Sequence, residues 1–192
     1  MDADDVTAII VTRGDCNIAP ILASLIFPRR IIWDNSVKDD MGAFGRYLAC
    51  AGIDAGDHVY FQDDDCVVEP EDQARLVEEY QPGVLTALMP ESRTDYTDTV
   101  LIGWGSICDS VLPWEAFVRW RRAGHDLFSR EFQIVGCDFV FPMLSRTKRI
   151  DAEHTDLPHA HAPNRTWATW PNYAGVKERY LRDARQIRGY KG

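Results

Sequence analysis

Apolar residues follow two alternating patterns along the first half of the chain. Runs rich in β-branched and aromatic residues predict strands at 7–12, 30–33, 58–62 and 84–89. The stretches between them have apolar residues at helical spacing and predict helices at 18–26, 43–51 and 70–80. Strands that alternate with helices form βαβ units. The pattern therefore predicts an α/β fold with a mostly parallel central sheet flanked by helices.

The second half of the chain is less regular. An apolar segment with a Gly-Trp-Gly core predicts a strand at 100–107, and amphipathic patterns predict helices at 112–124 and 175–190. Residues 90–99 are polar and unpatterned, which is compatible with a mobile loop over a site or with an inert surface loop. Such irregularity is expected where a site for a second substrate is built.

Polar side chains gather in the turns after the first three predicted strands. These turns hold Thr12-Arg13, Asp34-Asn35-Ser36 and Asp63-Asp64-Asp65. Ligands of open α/β sheets bind beyond the carboxyl ends of the strands. We therefore expect these turns to meet at one crevice.

The composition is that of an ordinary globular protein. Of 192 residues, 45% are hydrophobic and 27% are charged, which excludes disordered, collagen-like and disulfide-scaffold classes. The net charge of −9 argues against a protein that grips nucleic acid mainly through phosphates. Five cysteines without a Cys-x-x-Cys pair suggest reduced thiols. The N-terminus is acidic and no apolar run nears the roughly 20 residues of a membrane helix, so we expect a cytoplasmic protein without a membrane span.

Positive charge is concentrated at the C-terminal end. Residues 165–192 carry seven basic side chains and two acidic ones. The predicted helix at 175–190 is therefore basic around an apolar face. Most such helices simply dock on their own protein, but an acidic acceptor, a DNA backbone or a partner protein are open alternatives.

The Asp63-Asp64-Asp65 triplet is the most informative polar cluster. On an extended backbone, Asp63 and Asp65 would point to one side and Asp64 to the other. Two facing carboxylates repel each other unless a cation lies between them, and oxygen donors favour Mg²⁺ or Mn²⁺. Since the chain has no GxxxxGK[ST] or GxGxxG loop, such a metal would have to neutralise most of a bound diphosphate. The alternative is a solvated acidic turn.

The motifs TAIIVTRGD, IIWDNS, GRYLACAG and HVYFQDDDCVV together resemble the nucleotide-sugar half of GT-A glycosyltransferases, whose DxD motif looks like the acidic triplet. The resemblance covers about half of the chain and implies a GT-A type fold with a Rossmann-like central sheet and an irregular C-terminal acceptor half. It also implies a nucleoside diphosphate sugar donor, probably UDP-linked, with Mn²⁺ or Mg²⁺ as cofactor. It also implies roles for single residues. Thr12 and Arg13 would line the nucleoside pocket, Asp34 would accept from the base with Asn35 beside it, Arg46 and Asp64 would lie near the nucleotide, Asp63 would face ribose and metal, and Asp65 would bind the metal. For Arg13 and Arg46, a structural salt bridge to Asp15 or Asp34 is an equal alternative.

Asp138 is the lone carboxylate in the apolar stretch 133–144. Burying a carboxylate is costly unless it is paired, so Asp138 either caps a helix or is held for chemistry. An acidic residue of this region faces the acceptor hydroxyl in GT-A enzymes, and Asp138 resembles it. The resemblance thus implies that Asp138 is the catalytic base that takes the acceptor proton.

Five further residues, two of them alternatives for one role, complete the candidate site. Gly103 would let a sugar or diphosphate approach the backbone, and the Trp104 indole suits the apolar face of a sugar; a core tryptophan beside a bulge is the alternative. By the GT-A resemblance, a C-terminal histidine completes the metal shell, with His161 preferred over His159. Arg165 follows closely enough to contact the diphosphate.

These observations favour a metal-dependent glycosyltransferase that moves a sugar from a nucleoside diphosphate sugar to an unidentified acceptor, such as a glycan, a protein or a modified nucleobase. A metal-dependent nucleotidyltransferase and a non-catalytic nucleotide-sugar binding protein are the alternatives. We expect one domain over 1–192, with the nucleotide-sugar half in 1–99 and the acceptor half in 100–192.

Overall fold

The computed structural model describes residues 1–37, 40–93, 96, 98–158 and 170–189. The strands are β1 (Val6–Thr12), β2 (Arg29–Asp34), β3 (His58–Asp63), β4 (Cys66–Val67), β5 (Val84–Met89), β6 (Trp104–Asp109), β7 (Arg146–Asp151) and β8 (Thr155–Asp156). The helices are α1 (Ala19–Ser24), α2 (Gly45–Cys50), α3 (Pro70–Glu79), α4 (Leu112–Arg122), α5 (Cys137–Leu144) and α6 (Tyr173–Gly189). A π-helical turn at Phe132–Gly136 leads into α5.

Six strands form one mixed sheet in the order β2-β1-β3-β6-β5-β7. The pairs β1–β2, β1–β3 and β5–β7 are parallel, whereas β6 is antiparallel to both of its neighbours. The sheet is thus mostly parallel, and the carboxyl ends of β1, β2, β3 and β5 lie along one edge. A two-stranded sheet of β4 and β8 adjoins that edge, just after the acidic triplet.

The sheet separates two hydrophobic clusters because successive strand residues point to opposite faces. On β1, Ile9 packs in the larger cluster, which includes residues of α2, α4, α5 and α6. Its neighbours Ala8 and Ile10 pack in the smaller cluster with Ile21 of α1 and Leu76 of α3. The α/β layering expected from the sequence is therefore confirmed.

Most predicted elements occur within a few residues of their expected bounds. The strand predicted at 84–89 is found there, and the helix predicted at 175–190 is α6. The helix predicted at 18–26 is shorter, since α1 spans only Ala19–Ser24. The described residues of 90–99 form no helix or strand.

The strand predicted at 100–107 is wrong in its bounds, because β6 begins at Trp104 and continues to Asp109. Two glycines explain the shift. Gly105 has a φ of +93°, and Gly103 lies against the Asp63 side chain. Regular pairing with β3 therefore starts late, beside a register shift at Phe61/Gln62.

Strand β7 is an element that the hydrophobic pattern did not predict. Its sequence is Arg-Thr-Lys-Arg-Ile-Asp, and only Ile150 is buried. β7 is an edge strand of the sheet and pairs with β5. A strand at the edge does not need a continuous row of apolar side chains, so its sequence lacks the pattern of a buried strand.

The basic helix α6 docks on its own chain. Val176, Tyr180 and Ala184 are buried, as expected of the apolar face. Two arginines outside that face bond acidic residues elsewhere in the chain: Arg185 bonds Asp98 at 2.8 Å, and Arg179 bonds Glu131. The docking of α6 on its own chain therefore accounts for much of the positive charge of this helix.

Two absences complete the description. All five cysteines lie in the described part of the chain, and none of them forms a disulfide. Among the helices of the described residues, none combines the length and apolar character that crossing a membrane requires.

The contact between α6 and the π-helical turn gives a stability prediction. A Cβ on Gly136 would lie 2.6 Å from the ring of Tyr180, so Gly136→Ala forces α6 outwards. We expect the free energy of unfolding to fall by about 1–3 kcal/mol in urea titrations. Gly56→Ala is the matched control, since no atom lies within 4 Å of its added Cβ. Equal stability of the two variants would contradict this packing.

Candidate functional site

A cavity of about 640 Å³ opens at the carboxyl ends of the parallel strands. The turns after β1, β2 and β3 meet there, as expected from the sequence. Nine of the predicted site residues line it: Arg13, Asn35, Arg46, Asp63, Asp64, Asp65, Gly103, Trp104 and Asp138. Thr12 and Asp34 do not line it, and His159, His161 and Arg165 lie outside the described residues.

The acidic triplet turns sharply at the end of β3. The strand ends at Asp63, and Asp64 and Asp65 form a turn. The expectation that Asp64 points away from its neighbours is therefore wrong, because alternation requires an extended backbone. All three residues line the cavity.

A buried arginine joins two of the candidate carboxylates. Nη2 of Arg46 bonds Oδ1 of Asp63 and lies 3.5 Å from Oδ2 of Asp138. The Arg46 side chain is only 2% exposed, whereas those of Asp63 and Asp138 are 37% and 27% exposed. Burial alone would lower the pKa of Arg46, but Asp138 and Asp63 raise that pKa above its usual value. Arg46 is therefore a fixed positive charge, paired with neither Asp15 nor Asp34.

Asp138 also has a neutral partner. The Tyr47 hydroxyl donates a hydrogen bond to Oδ1 of Asp138 at 2.5 Å. Burial raises the pKa of Asp138 above its ordinary value, while Arg46 and the Tyr47 bond act in the opposite direction. Asp138 lies in the first turn of α5 and makes no capping bond, so the helix-cap alternative is excluded. Its carboxylate is thus held in place, and its pKa is raised.

Asp64 ties the acidic turn to the end of β1. Its Oδ2 accepts a hydrogen bond from the backbone N–H of Arg13 at 3.1 Å. Burial raises the pKa of Asp64, and bonds from Thr12 and Arg13 partly offset that rise. Thr12 also accepts from the N–H of Gly14 at 3.0 Å. Thr12 thus shapes the loop after β1 instead of facing the cavity.

Gly103 is required by the position of Asp63. A Cβ at residue 103 would lie 1.8 Å from Oδ2 of Asp63. The Asp63 N–H also donates to the Gly103 carbonyl at 2.8 Å. The space that the sequence assigned to a ligand at Gly103 is therefore taken by the Asp63 carboxylate.

The turn after β2 is held by its own side chains. Oδ1 of Asp34 accepts from the N–H and the hydroxyl of Ser36, at 2.8 and 2.6 Å. Asn35 is 5% exposed; it accepts from Trp33 Nε1 at 3.0 Å and donates to the Gly42 carbonyl at 3.1 Å. Both residues therefore hold the turn, and their contact with a nucleobase stays a prediction.

Trp104 lies in a group of stacked side chains. The ring centres of Trp104 and His154 are 4.4 Å apart, and the Arg93 guanidinium lies 5.0 Å from the centre of the Trp104 ring. The indole is partly exposed in the cavity, so it is not a core tryptophan.

The carboxylates of the acidic triplet are chemically suitable ligands for a divalent ion. Asp63, Asp64 and Asp65 offer hard oxygen donors on one wall of the cavity, which suit Mg²⁺ and Mn²⁺. Ligand atoms of Asp15, Cys16 and Asp64 also lie within 4.8 Å of one another. This grouping includes Asp64 but neither Asp63 nor Asp65, which are the metal ligands that the DxD resemblance implies.

Sequence reasoning missed several residues of the site: three that line the cavity, and Tyr47, which is buried and bonds Asp138. Tyr47 follows Arg46 in α2, and its apolar neighbours made it look like an ordinary core aromatic. Lys177 was one basic residue among seven in the C-terminal segment. Arg93 and Tyr96 come from the polar segment 90–99, whose sequence has no hydrophobic periodicity. Only the tertiary fold distinguishes these four residues of the site from their neighbours in the sequence.

Comparison with known structures identifies the fold. The chain is similar to the crystal structure of 4-diphosphocytidyl-2C-methyl-D-erythritol synthase from Anaerococcus prevotii, with a TM-score of 0.56 and 11% sequence identity. The match covers 87% of this chain and 97% of that chain. It confirms the expected GT-A-like fold. No protein-family profile matches the chain, and neither does any curated protein sequence.

The buried arginine gives a prediction for the site. Arg46→Met leaves Asp63 and Asp138 without their shared cation, and we expect a loss of about 3 kcal/mol in the free energy of unfolding. Arg29→Met is the matched control, because Arg29 is 41% exposed and pairs with Asp57 at the surface; it should cost about 1 kcal/mol or less. Denaturant titrations of both variants provide the measurement. A loss at Arg46 no larger than that at Arg29 would show that the buried pairs do not hold the site.

Proposed function

We propose that the protein is a divalent-metal-dependent transferase that uses a nucleotide donor. One observation carries this proposal: three carboxylates at the end of β3 share a cavity with Asp138, at the edge of the sheet where the parallel strands end. Ligands of open α/β sheets bind at this edge. Clustered carboxylates beside a held base suit transfer from a phosphate-linked donor.

In this proposal, Asp63 and Asp65 would hold the metal, and His161 would be a further ligand. A bound Mg²⁺ or Mn²⁺ supplies positive charge to the phosphate that leaves. Arg46 keeps the Asp63 carboxylate at the cavity wall. Asp138 accepts the proton of the attacking hydroxyl, and Tyr47 and Arg46 orient that carboxylate.

Nucleotidyl transfer is the first candidate for the reaction, and the fold comparison favours it. The similar structure is that of a synthase whose name specifies a diphosphocytidyl product. In such a reaction an oxygen of the second substrate bonds to the α-phosphorus of a nucleoside triphosphate, and pyrophosphate leaves. The fold comparison thus supports nucleotidyl transfer, the alternative expected from the sequence, better than it supports sugar transfer.

Sugar transfer is the second candidate, and the loop after β1 favours it. This loop reads Arg13-Gly14-Asp15, with one glycine, one cation and one carboxylate. It offers little to a triphosphate, which carries more charge than a nucleoside diphosphate sugar. In sugar transfer, the acceptor oxygen bonds to the anomeric carbon, and the nucleoside diphosphate leaves.

A donor panel tests the proposed function and separates the two reactions. The protein is incubated with nucleoside triphosphates and with nucleoside diphosphate sugars, each with and without Mn²⁺. We expect one donor to raise the unfolding temperature in a metal-dependent way, by mass action on the folded state. Release of pyrophosphate would identify nucleotidyl transfer, and release of nucleoside diphosphate would identify sugar transfer.

Two variants sharpen this experiment. Asp65→Asn should abolish the metal-dependent rise, whereas Asp57→Asn should keep it, because Asp57 precedes β3 at the opposite edge of the sheet. If no nucleotide stabilises the wild-type protein with either Mn²⁺ or Mg²⁺, the proposed function is wrong.

The environment of Asp138 predicts the pH dependence of the transfer. A base must be unprotonated, so activity falls as the pH drops through the pKa of Asp138, which burial raises. The Tyr47 bond lowers this pKa, and therefore Tyr47→Phe should move the acid limb of kcat/KM to higher pH. Asp138→Asn should reduce kcat by a factor on the order of 10²–10⁴. An acid limb unmoved by Tyr47→Phe would show that Asp138 is not the titrating base.

A further inference from the structure

A second wall of the cavity consists of cations and aromatic rings. Nζ of Lys177, on α6, lies 4.8 Å from the centre of the Tyr96 ring and 5.4 Å from that of Phe139. The same Nζ donates a hydrogen bond to the Tyr96 hydroxyl at 3.3 Å. Arg93 lies over the other cavity rings, 4.9 Å from Tyr96 and 5.0 Å from Trp104. The wall therefore holds two positive charges beside ring faces.

Lys177 differs from the neighbouring basic residues of α6. Arg179, Arg182 and Arg185 each form an ion pair with a carboxylate. Across the part of the chain that the structure describes, no carboxylate lies within ion-pair distance of Lys177. Three surface cations of the helix are thus paired with carboxylates of the chain, whereas Lys177, which lines the cavity, has no such partner among the described residues.

The partners of Lys177 position its charge without cancelling it. An aromatic face attracts a cation through its quadrupole but carries no net charge. Tyr96 is only 7% exposed, so the ring and hydroxyl that hold Nζ are themselves fixed. A cation that is already ordered binds an anion with a smaller loss of conformational entropy.

We propose that Lys177, with Arg93, forms a subsite for a phosphate-class anion carried by the second substrate. This inference rests on the proposed function. The subsite adjoins the proposed base, because Phe139 follows Asp138 on α5 and its ring contacts Lys177. The acidic triplet is assigned to the metal and the donor, which leaves the cationic wall for the group that attacks. The same anion chemistry also occurs in the donor diphosphate, so the test separates these two sources.

Sulfate is a suitable probe, since it resembles phosphate and stays soluble with Mg²⁺. Its binding is measured by the rise in unfolding temperature and by calorimetry, on the full chain. Lys177→Met should weaken sulfate binding about tenfold, as expected for a lost charged hydrogen bond. Lys177→Arg keeps the charge and should bind sulfate nearly as the wild type does, which separates loss of charge from misfolding. Lys148→Met is the matched control, because Lys148 pairs with Glu79 on a different surface and should not affect binding.

The titration is repeated with saturating UDP or CDP and Mg²⁺. The proposal expects sulfate to bind equally well with the nucleotide present, since the second substrate and the donor occupy the cavity together. Loss of sulfate binding on adding nucleotide would assign the subsite to the donor diphosphate and overturn the proposal. Unchanged sulfate binding in Lys177→Met would overturn it as well. Lys177-dependent sulfate binding in a protein that binds no nucleotide would support the anion subsite and overturn the proposed function.

Discussion

The site depends on one buried charge. A guanidinium withdrawn from water is costly to the fold unless carboxylates compensate it, and Arg46 has two such partners from distant parts of the chain. Asp63 ends a strand of the central sheet, and Asp138 lies on a helix that packs in the larger hydrophobic cluster. The cation thus fixes the distance between the acidic turn and the proposed base. The stability of the core and the geometry of the site have the same cause.

The elements that the sequence predicted well are those whose hydrophobic pattern is strong and local. Strand β1 is buried at every position, and β5 was found at its predicted bounds. Strand β7 is polar and at an edge, so its only requirement is a partner strand, and no local pattern encodes a partner. The shortened start of β6 has a similar origin, because the Asp63 carboxylate that occupies the space beside Gly103 comes from another strand.

The same reasoning applies to the site. Residues at strand ends could be placed from the sequence, since a parallel sheet brings its carboxyl ends together: Arg13, Asn35 and the acidic triplet do line one cavity. The partners of each residue could not be placed. The side chain of Asp34 bonds within its own turn, and Arg46 bonds carboxylates 17 and 92 positions further along the chain. Such pairings depend on the packing of α2 against the sheet and α5, which only the tertiary structure specifies.

The direction of β6 has a consequence for how the site is assembled. Because β6 runs against its neighbours, its first residues reach the same edge as the last residues of β3. Until β6 has been synthesised, one side of β3 has no partner strand, and an open strand edge invites pairing with other chains. Lys177 and Asp138 follow later still. A nascent chain that ends before β6 therefore has the acidic turn without Asp138 and Lys177, and it has an unpaired strand edge that favours aggregation. The second half of the polypeptide supplies both the missing site residues and the missing strand.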